Sequence, residues 1–369
     1  MMFSKRPYRP KAENRRTWMP DTEQQLLSMT EEAAVLIQRG RATFANAPAR
    51  EILGEDCTGK RLAALFGEAV SGAQAASFLA QVRLREKPYL VRIARLGQDQ
   101  VCFLRPQEDA PAVMNQPFLS SLRSSLMNME LAADRMRSLA EESASVPLLE
   151  NLRSLTRSQY QIRRLLDNAS LILEQSRGGA VCAPRVFDLS GLCRSSLEAM
   201  GTMLPGISFP DRCGEGIPVY ADPRLIKILL LNLLSNAVCH GEGCSRISLS
   251  LLEAGQTVVL GVDDDGCGIR EEELPRVFDR YRHDFRLDQM HAGPGLGLTA
   301  VRMIAQAHSG SLLLESRAGQ GTTVRVSLRR PRPEQLRSPR EEVLFHASEL
   351  LTGLADCLPS ACFGEKWLD

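Results

Sequence analysis

Histidine is scarce in this chain. There are five, His240, His283, His291, His308 and His346, so the first 239 residues contain no imidazole. That excludes a histidine nucleophile or a histidine-ligated haem anywhere in the first three fifths of the chain. Excess charge is missing as well: Lys+Arg 45 against Asp+Glu 44 gives a net +1, and no overall field favours nucleic acid. Long apolar runs are absent. The longest, Ile226–Leu234, is interrupted by Lys227 and Asn232 and falls far short of a membrane span. No apolar segment follows the basic N-terminal residues, so no secretory signal is expected. The ten cysteines form no CxxC pair and read as reduced thiols rather than a disulfide framework or zinc site. What is present is ordinary for a globular protein: 44% hydrophobic and 24% charged residues over 369 positions. The expectation is a cytoplasmic chain of two or three domains.

Composition shifts divide the chain. Residues 1–21 carry Lys5, Arg6, Arg9, Lys11, Arg15 and Arg16 with little apolar periodicity, a flexible basic tail. Between 22 and 110 the pattern is mixed. Glu23–Leu36 is helix-like, Ala42–Asn46 strand-like and Ala47–Leu53 helical. A turn follows at Gly59–Lys60, then strand signals at Tyr89–Ala94 and Gln100–Arg105. Residues 115–178 differ in kind. Leu119, Leu122, Leu126, Met129, Ala133 and Met136 step by three and four, and after a polar break at Glu141–Val146 the stepping resumes through Leu148, Leu152, Leu155, Gln159, Ile162, Leu166, Ala169 and Leu173. This is a helical hairpin. One hairpin cannot bury both of its faces, so a four-helix bundle from two chains, homomeric or heteromeric, is expected. From 185 to 330 strands and helices alternate, an α+β arrangement. Residues 331–369 begin as a Pro/Arg linker and continue into an amphipathic candidate helix, Glu341–Leu358.

Four motifs with nucleotide chemistry follow one another in the fourth segment. In NLLSNAVCH, Asn232 and Asn236 lie four residues apart on one helical face, and their neutral oxygens suit Mg²⁺, which takes few protein ligands beside phosphate and water. In VDDDGCGI, at a strand end, Asp264 is placed to accept from an exocyclic amine while Gly266 and Gly268 let backbone approach a flat ring. VFDRY, Val277–Tyr281, sets an aromatic beside that pocket. GPGLGL, Gly293–Leu298, precedes the helix Thr299–Ala307, and glycine-rich backbone running into a helix N-terminus is a phosphate site. GQGTTV (Gly319–Val324) closes the series before a last strand.

These residues resemble the ATP-binding domain shared by histidine kinases, gyrase and related ATPases, with its N, G1, F and G2 boxes in order; the hairpin before it resembles the kinases' dimerisation and phosphotransfer domain. The resemblance implies ATP and Mg²⁺ as cofactors and an α/β-sandwich for 185–330. It implies a nucleotide set of Asn232, Asn236, His240, Asp264, Gly266, Gly268, Ile269, Phe278, Tyr281, Gly293, Gly295, Leu296, Gly297, Leu298 and Thr323, with Mg²⁺ on Asn236. Hydrolytic relatives place a glutamate where this chain has Asn232; an amide cannot take a proton from water, and asparagine is the kinase pattern. More loosely, VLIQRGRATFANAPAREILGEDCTGKRLAALF, from Val35, resembles the start of a PAS sensory domain.

One departure bears on chemistry. Where such kinases carry His-Glu-Leu-Arg-Thr-Pro-Leu, this chain reads Ser120-Ser121-Leu122-Arg123-Ser124-Ser125-Leu126. Ser120 stands for the phosphoacceptor histidine, Ser121 for its acidic neighbour and Ser125 for the kinking proline. A serine hydroxyl without a base is a poor nucleophile. The expectations are therefore an ATP-binding two-component kinase acting on an acceptor in trans, through a partner kinase or response regulator; a nucleotide-binding pseudokinase; or a serine protein kinase acting on another protein.

Overall fold

The computed structural model describes residues 24–25, 27–67, 70, 77–85, 87–96, 99–106, 116–142, 145–176, 182–240, 243–274, 296–337 and 342–364. The basic tail 1–21 lies outside them. The chain opens with the hairpin β1 (Ala33–Gln38) and β2 (Arg41–Ala45), turned by Arg39 and Gly40 at φ 50 and 73. Helix α1 (Ala47–Leu53) follows. Its cap, Asn46, is buried; Oδ1 accepts from the Ala34 and Ala49 amides, and Nδ2 donates to the Glu32 carbonyl. Next come α2 (Leu62–Phe66), β3 (Ser77–Leu84), β4 (Lys87–Leu96) and β5 (Asp99–Pro106), giving an antiparallel sheet in the order β2-β1-β5-β4-β3.

The helix expected over Glu23–Leu36 gives way at Ala33 to strand β1. Val35 and Ile37 enter one apolar cluster, while Ala34 and Leu36 enter another with Leu27 and Val101. A strand buried on both faces shows no alternation, so its periodicity cannot separate it from a helix.

Helices α3 (Gln116–Glu142) and α4 (Val146–Ser176) form the hairpin. Its apolar stepping splits into two columns. Leu119, Leu126, Ala133 and Ala140 are buried, whereas Leu122, Met129 and Met136 are exposed.

The third body starts with β6 (Arg185–Asp188), α5 (Leu189–Met203), β7 (Asp211–Arg212) and β8 (Pro218–Ala221); β6 and β8 pair antiparallel. It continues with α6 (Pro223–Cys239), β9 (Ile247–Ala254), β10 (Thr257–Asp264), α7 (Leu296–Ala307), β11 (Leu312–Arg317) and β12 (Gly321–Arg329). Strands β11-β12-β10-β9-β7 carry the helices on one face, and Leu225, Leu229, Val258, Leu260, Val301 and Ile304 fill the space between. The two sheets join edge to edge. β3 pairs antiparallel with β11, setting Leu314 opposite Leu79 and Leu312 opposite Gln81, and Leu313 completes the N-terminal core.

The C-terminal segment folds back. The single helix expected over Glu341–Leu358 is α8 (Ala347–Gly353) followed by a 3-10 turn at Ser360–Phe363. Gly353 ends the helix against Leu231 of α6, and Pro359 precedes the second turn. Leu350, Leu351, Leu354, Leu358 and Phe363 are buried in the main core. Among the described residues no helix is long and apolar enough to cross a membrane.

Candidate nucleotide-binding site

Helix α6 starts at Asp222, whose Oδ1 accepts from the amides of Arg224 and Leu225 at 3.0 and 3.3 Å, with Pro223 in the first turn. This is a strong N-terminal stop. His308, at the end of α7, locks the same corner: Nε2 accepts from the Asp222 amide at 2.9 Å and Nδ1 lies 2.8 Å from the Ile304 carbonyl. Burial lowers the His308 pKa, opposed by the Ile304 hydrogen bond and the Asp222 charge. Its neutral form is structural. So fixed, α6 carries Asn232 and Asn236 against the first turn of α7. A Cβ at Gly297 would stand 3.0 Å from Asn232 Oδ1 and 3.5 Å from Asn236 Oδ1. Two amide oxygens and a helix N-terminus converge there.

The second group of candidate residues sits at the end of β10, whose following turn reaches the C-terminal end of α6 through Cys267 Sγ and the His240 carbonyl. Asp264 is half-buried and its Oδ1 accepts from the amides of Gly266 and Thr322 at 3.0 and 3.2 Å. Burial raises its pKa, offset by those two bonds and reinforced by the charges of Asp263 and Asp265. Gly268 serves packing: at φ 64, its missing Cβ would lie 2.1 Å from the Arg317 carbonyl. Gly321 meets the Asp264 carbonyl likewise, at 2.0 Å. The G1 turn and the β11–β12 turn therefore interlock backbone to backbone, leaving no room for any side chain at either glycine. The Ile269 amide donates to Ser316 Oγ at 2.8 Å.

Several expected site residues have other duties. Thr323 donates to Asp263 on the opposite face of the sheet; it is Thr322 that pairs with Asp264. Leu296 packs in a cluster with Leu119, Leu126, Leu166 and Met303, and Leu298 packs on the main core. His240 caps α6 in an exposed position, and its carbonyl accepts from Cys267 Sγ at 3.0 Å. Phe278, Tyr281, Gly293 and Gly295 lie outside the described residues.

The structure adds residues that sequence reasoning passed over. Asn232 exchanges paired amide hydrogen bonds with Asn168 of α4, at 3.0 and 3.1 Å, and accepts from Arg164 Nη2 at 3.1 Å. Arg164 also donates to Ser235 Oγ at 2.8 Å and ion-pairs with Asp356 of the C-terminal segment. The hairpin thus holds one of the two site asparagines. The only trace of this in the sequence is the i,i+4 spacing of Arg164 and Asn168, which does not say what they face.

Among the described residues no three His, Cys, Asp or Glu side chains gather as a metal site. Mg²⁺ needs no such cage when phosphate and water complete its shell. Asn236, half-buried at the mouth of α7, offers the hard neutral oxygen that fits it.

A carboxylate at a strand end, paired asparagines on a helix and a glycine at the next helix N-terminus accompany a match to a nucleotide-binding ATPase domain. Residues 221–332 match the family described as histidine kinase-, DNA gyrase B-, and HSP90-like ATPase. Among curated proteins the chain is 27% identical over 297 residues to the circadian input-output histidine kinase CikA of Synechococcus elongatus, covering 75% of this chain and 39% of that protein. It is 30% identical over 257 residues to the adaptive-response sensory kinase SasA of a Synechococcus species, covering 68% of this chain and 66% of that one. The solved Acinetobacter baumannii histidine kinase AdeS aligns at 17% identity and a TM-score of 0.42, over 58% of this chain and 98% of that one. The chain carries a sensor histidine kinase ATP-binding domain, of the kinase family of two-component signalling. It spans about two fifths of the first of these relatives and about two thirds of the second.

Proposed function

We propose that this chain binds ATP with Mg²⁺ between α6, α7 and the end of β10, and acts in two-component signalling as a kinase-family protein whose phosphoryl acceptor lies outside its own hairpin. The observation that carries the reading is the meeting of the Asn232 and Asn236 oxygens at Gly297, the first turn of α7. Phosphoryl transfer asks a protein mainly to position and to neutralise charge. On this reading Asp264 accepts from the adenine amine, the α7 N-terminus faces the phosphates and Asn236 is the protein ligand of Mg²⁺, which would neutralise phosphate charge.

The acceptor position argues for an outside target. Ser120 and Ser121 are exposed on α3, and the hydrogen bonds at their carbonyls come from Ser124 and Ser125. No carboxylate or imidazole among the described residues hydrogen-bonds the Ser120 hydroxyl. The nearby Asp167 is already held by Arg123, at 3.3 Å. The exposed column Leu122, Met129 and Met136, spaced by seven, supports a helical dimer built across α3. The strand order β2-β1-β5-β4-β3 with the Asn46-capped helix supports the PAS-like sensory reading of 22–110.

A second reading, a nucleotide-controlled switch without phosphotransfer, is favoured by the Asn168–Asn232 pair. Nucleotide entering beside Asn232 would compete with the hairpin for the same amide, so binding alone would shift the hairpin.

The test is the intact mass of the full chain after incubation with Mg·ATP, beside Asn236→Ala. Transfer predicts a phosphate gain on a supplied partner hairpin or response regulator and none on this chain. A phosphate on the chain itself, lost in Asn236→Ala, refutes the outside acceptor. Nucleotide binding with no transfer to any supplied partner leaves the switch.

A further inference from the structure

The C-terminal segment has two sides. On one, Leu350, Leu351, Leu354 and Leu358 are buried in one core with the leucines of α6. Gly353 sits against Leu231, and Lys227 of α6 pairs with Glu349 at 2.8 Å. These contacts fasten the segment to the nucleotide-site helix. On the other side, polar and aromatic groups reach α4 of the hairpin. Arg157 donates to the carbonyls of Ala355 and Asp356 at 3.2 and 2.9 Å, and Arg164 ion-pairs with Asp356. The Phe363 ring stands 5.5 Å from that of Tyr160. One short stretch of chain therefore grips the hairpin and the site helix together.

What this grip holds in place is the occupation of Asn232. An amide side chain offers two acceptor lone pairs and two N–H donors, and here all four are engaged. Oδ1 accepts from Arg164 Nη2 at 3.1 Å and Asn168 Nδ2 at 3.0 Å, while Nδ2 donates to Asn168 Oδ1 at 3.1 Å and the Ile228 carbonyl at 2.9 Å. With α4 docked, Asn232 has no capacity left for phosphate, water or metal. The docking in turn depends on the C-terminal segment. The Arg164 side chain is only 8% exposed, and a buried guanidinium needs a compensating charge. Of its partners Asn232, Ser235 and Asp356, the last alone brings one.

We propose that residues 342–364 are an intramolecular latch: Asp356 holds Arg164 of the hairpin against α6, keeping Asn232 committed to α4, and release of that pair frees the asparagine for nucleotide. The effect on nucleotide rests on the reading of α6 given above; the clamping of α4 does not. Apolar contacts of Leu296 and Met303 with Leu166 remain on the α7 side, so loss of the ion pair loosens the hairpin without detaching it.

The latch predicts an effect of unusual sign. A site that is competent only in a minor state binds with an affinity scaled down by the population of that state. Weakening the latch raises the population, so nucleotide binds more tightly. Loss of a contact that merely supported the site would weaken binding instead.

The test compares wild type, Asp356→Ala and Arg157→Ala as full chains. Arg157→Ala removes two latch bonds without leaving a buried charge unpaired, and decides the matter if Asp356→Ala folds poorly. Amide hydrogen exchange over α4 reads docking without nucleotide, and calorimetric titration with Mg·ATP reads the site. The expected result is faster exchange across residues 157–168 together with tighter ATP binding, by up to roughly tenfold where the released state is about a tenth of the wild-type population. Exchange over α4 equal to that of the wild type overturns the latch. So does looser α4 with ATP affinity unchanged or lowered, the outcome in which the latch fails and the nucleotide reading stands. No ATP binding by any of the three proteins refutes the nucleotide reading, and the latch with it.

Discussion

Asp264→Asn should move nucleotide affinity and stability in opposite directions. In the wild type, Oδ1 is saturated by the Gly266 and Thr322 amides, while Oδ2 accepts from no described residue. Asparagine can keep Oδ1 in place and with it both backbone bonds. It would turn an NH₂ group toward the base, so an adenine amine meets a donor where it had a charged acceptor. Hydrogen bonds to charged groups contribute about 1.5–3 kcal/mol, so ATP should bind roughly ten- to a hundredfold more weakly. Stability should rise. The folded pKa of Asp264 lies above its ordinary value of 3.8, so the group's contribution is fully present below pH 3.8 and is lost as pH rises through the folded pKa. At neutral pH the ionised carboxylate is a cost, which the neutral amide removes. Calorimetric titration with Mg·ATP reads the first effect and thermal unfolding without nucleotide reads the second. A folded variant with unchanged ATP affinity would refute the adenine assignment. A lowered melting temperature would refute the account of burial.

Three further outcomes are expected. Met129→Glu, on the exposed α3 column, should convert a dimer to a monomer by light scattering without lowering the monomer's melting temperature; a dimer that persists would place the interface elsewhere. Phe363→Ala removes a fully buried ring set 5.5 Å from Tyr160 of α4, and should destabilise by about 3–5 kcal/mol in chemical unfolding, whereas a loosely attached tail would give almost no change. His308, its folded pKa depressed by burial, contributes stability that is full above its unfolded value of about 6.5 and lost as pH falls through the folded pKa. His308→Gln should therefore flatten the dependence of melting temperature on pH below that value, and an unchanged slope would show that His308 does not titrate with unfolding.

The sequence by itself was enough for what is local or carried by residue type. The i,i+4 asparagines on an apolar helix, the glycines around Asp264 and the heptad stepping of the hairpin each depend on neighbours within a few positions, and helical or strand geometry converts that spacing directly into a shared face. The absence of histidine before His240 likewise needed no structure. Spacing misled where burial removed the alternating signal, as in β1, and where adjacent residues in a strand face opposite ways. The resemblance implies Thr323, whereas Thr322 is the residue opposite Asp264 and Thr323 bonds Asp263, since neighbouring residues in a strand face opposite ways.

Only the tertiary structure decided which distant surfaces meet. Nothing local marks β3 as the partner of β11, sets Asn168 against Asn232, or lays the C-terminal segment across α4 and α6. Such pairings are fixed by the shapes of cores separated by tens to hundreds of residues. A buried Arg164 is intelligible only once its partners on two other segments are in place, because a charge inside a protein is tolerated where several acceptors converge on it.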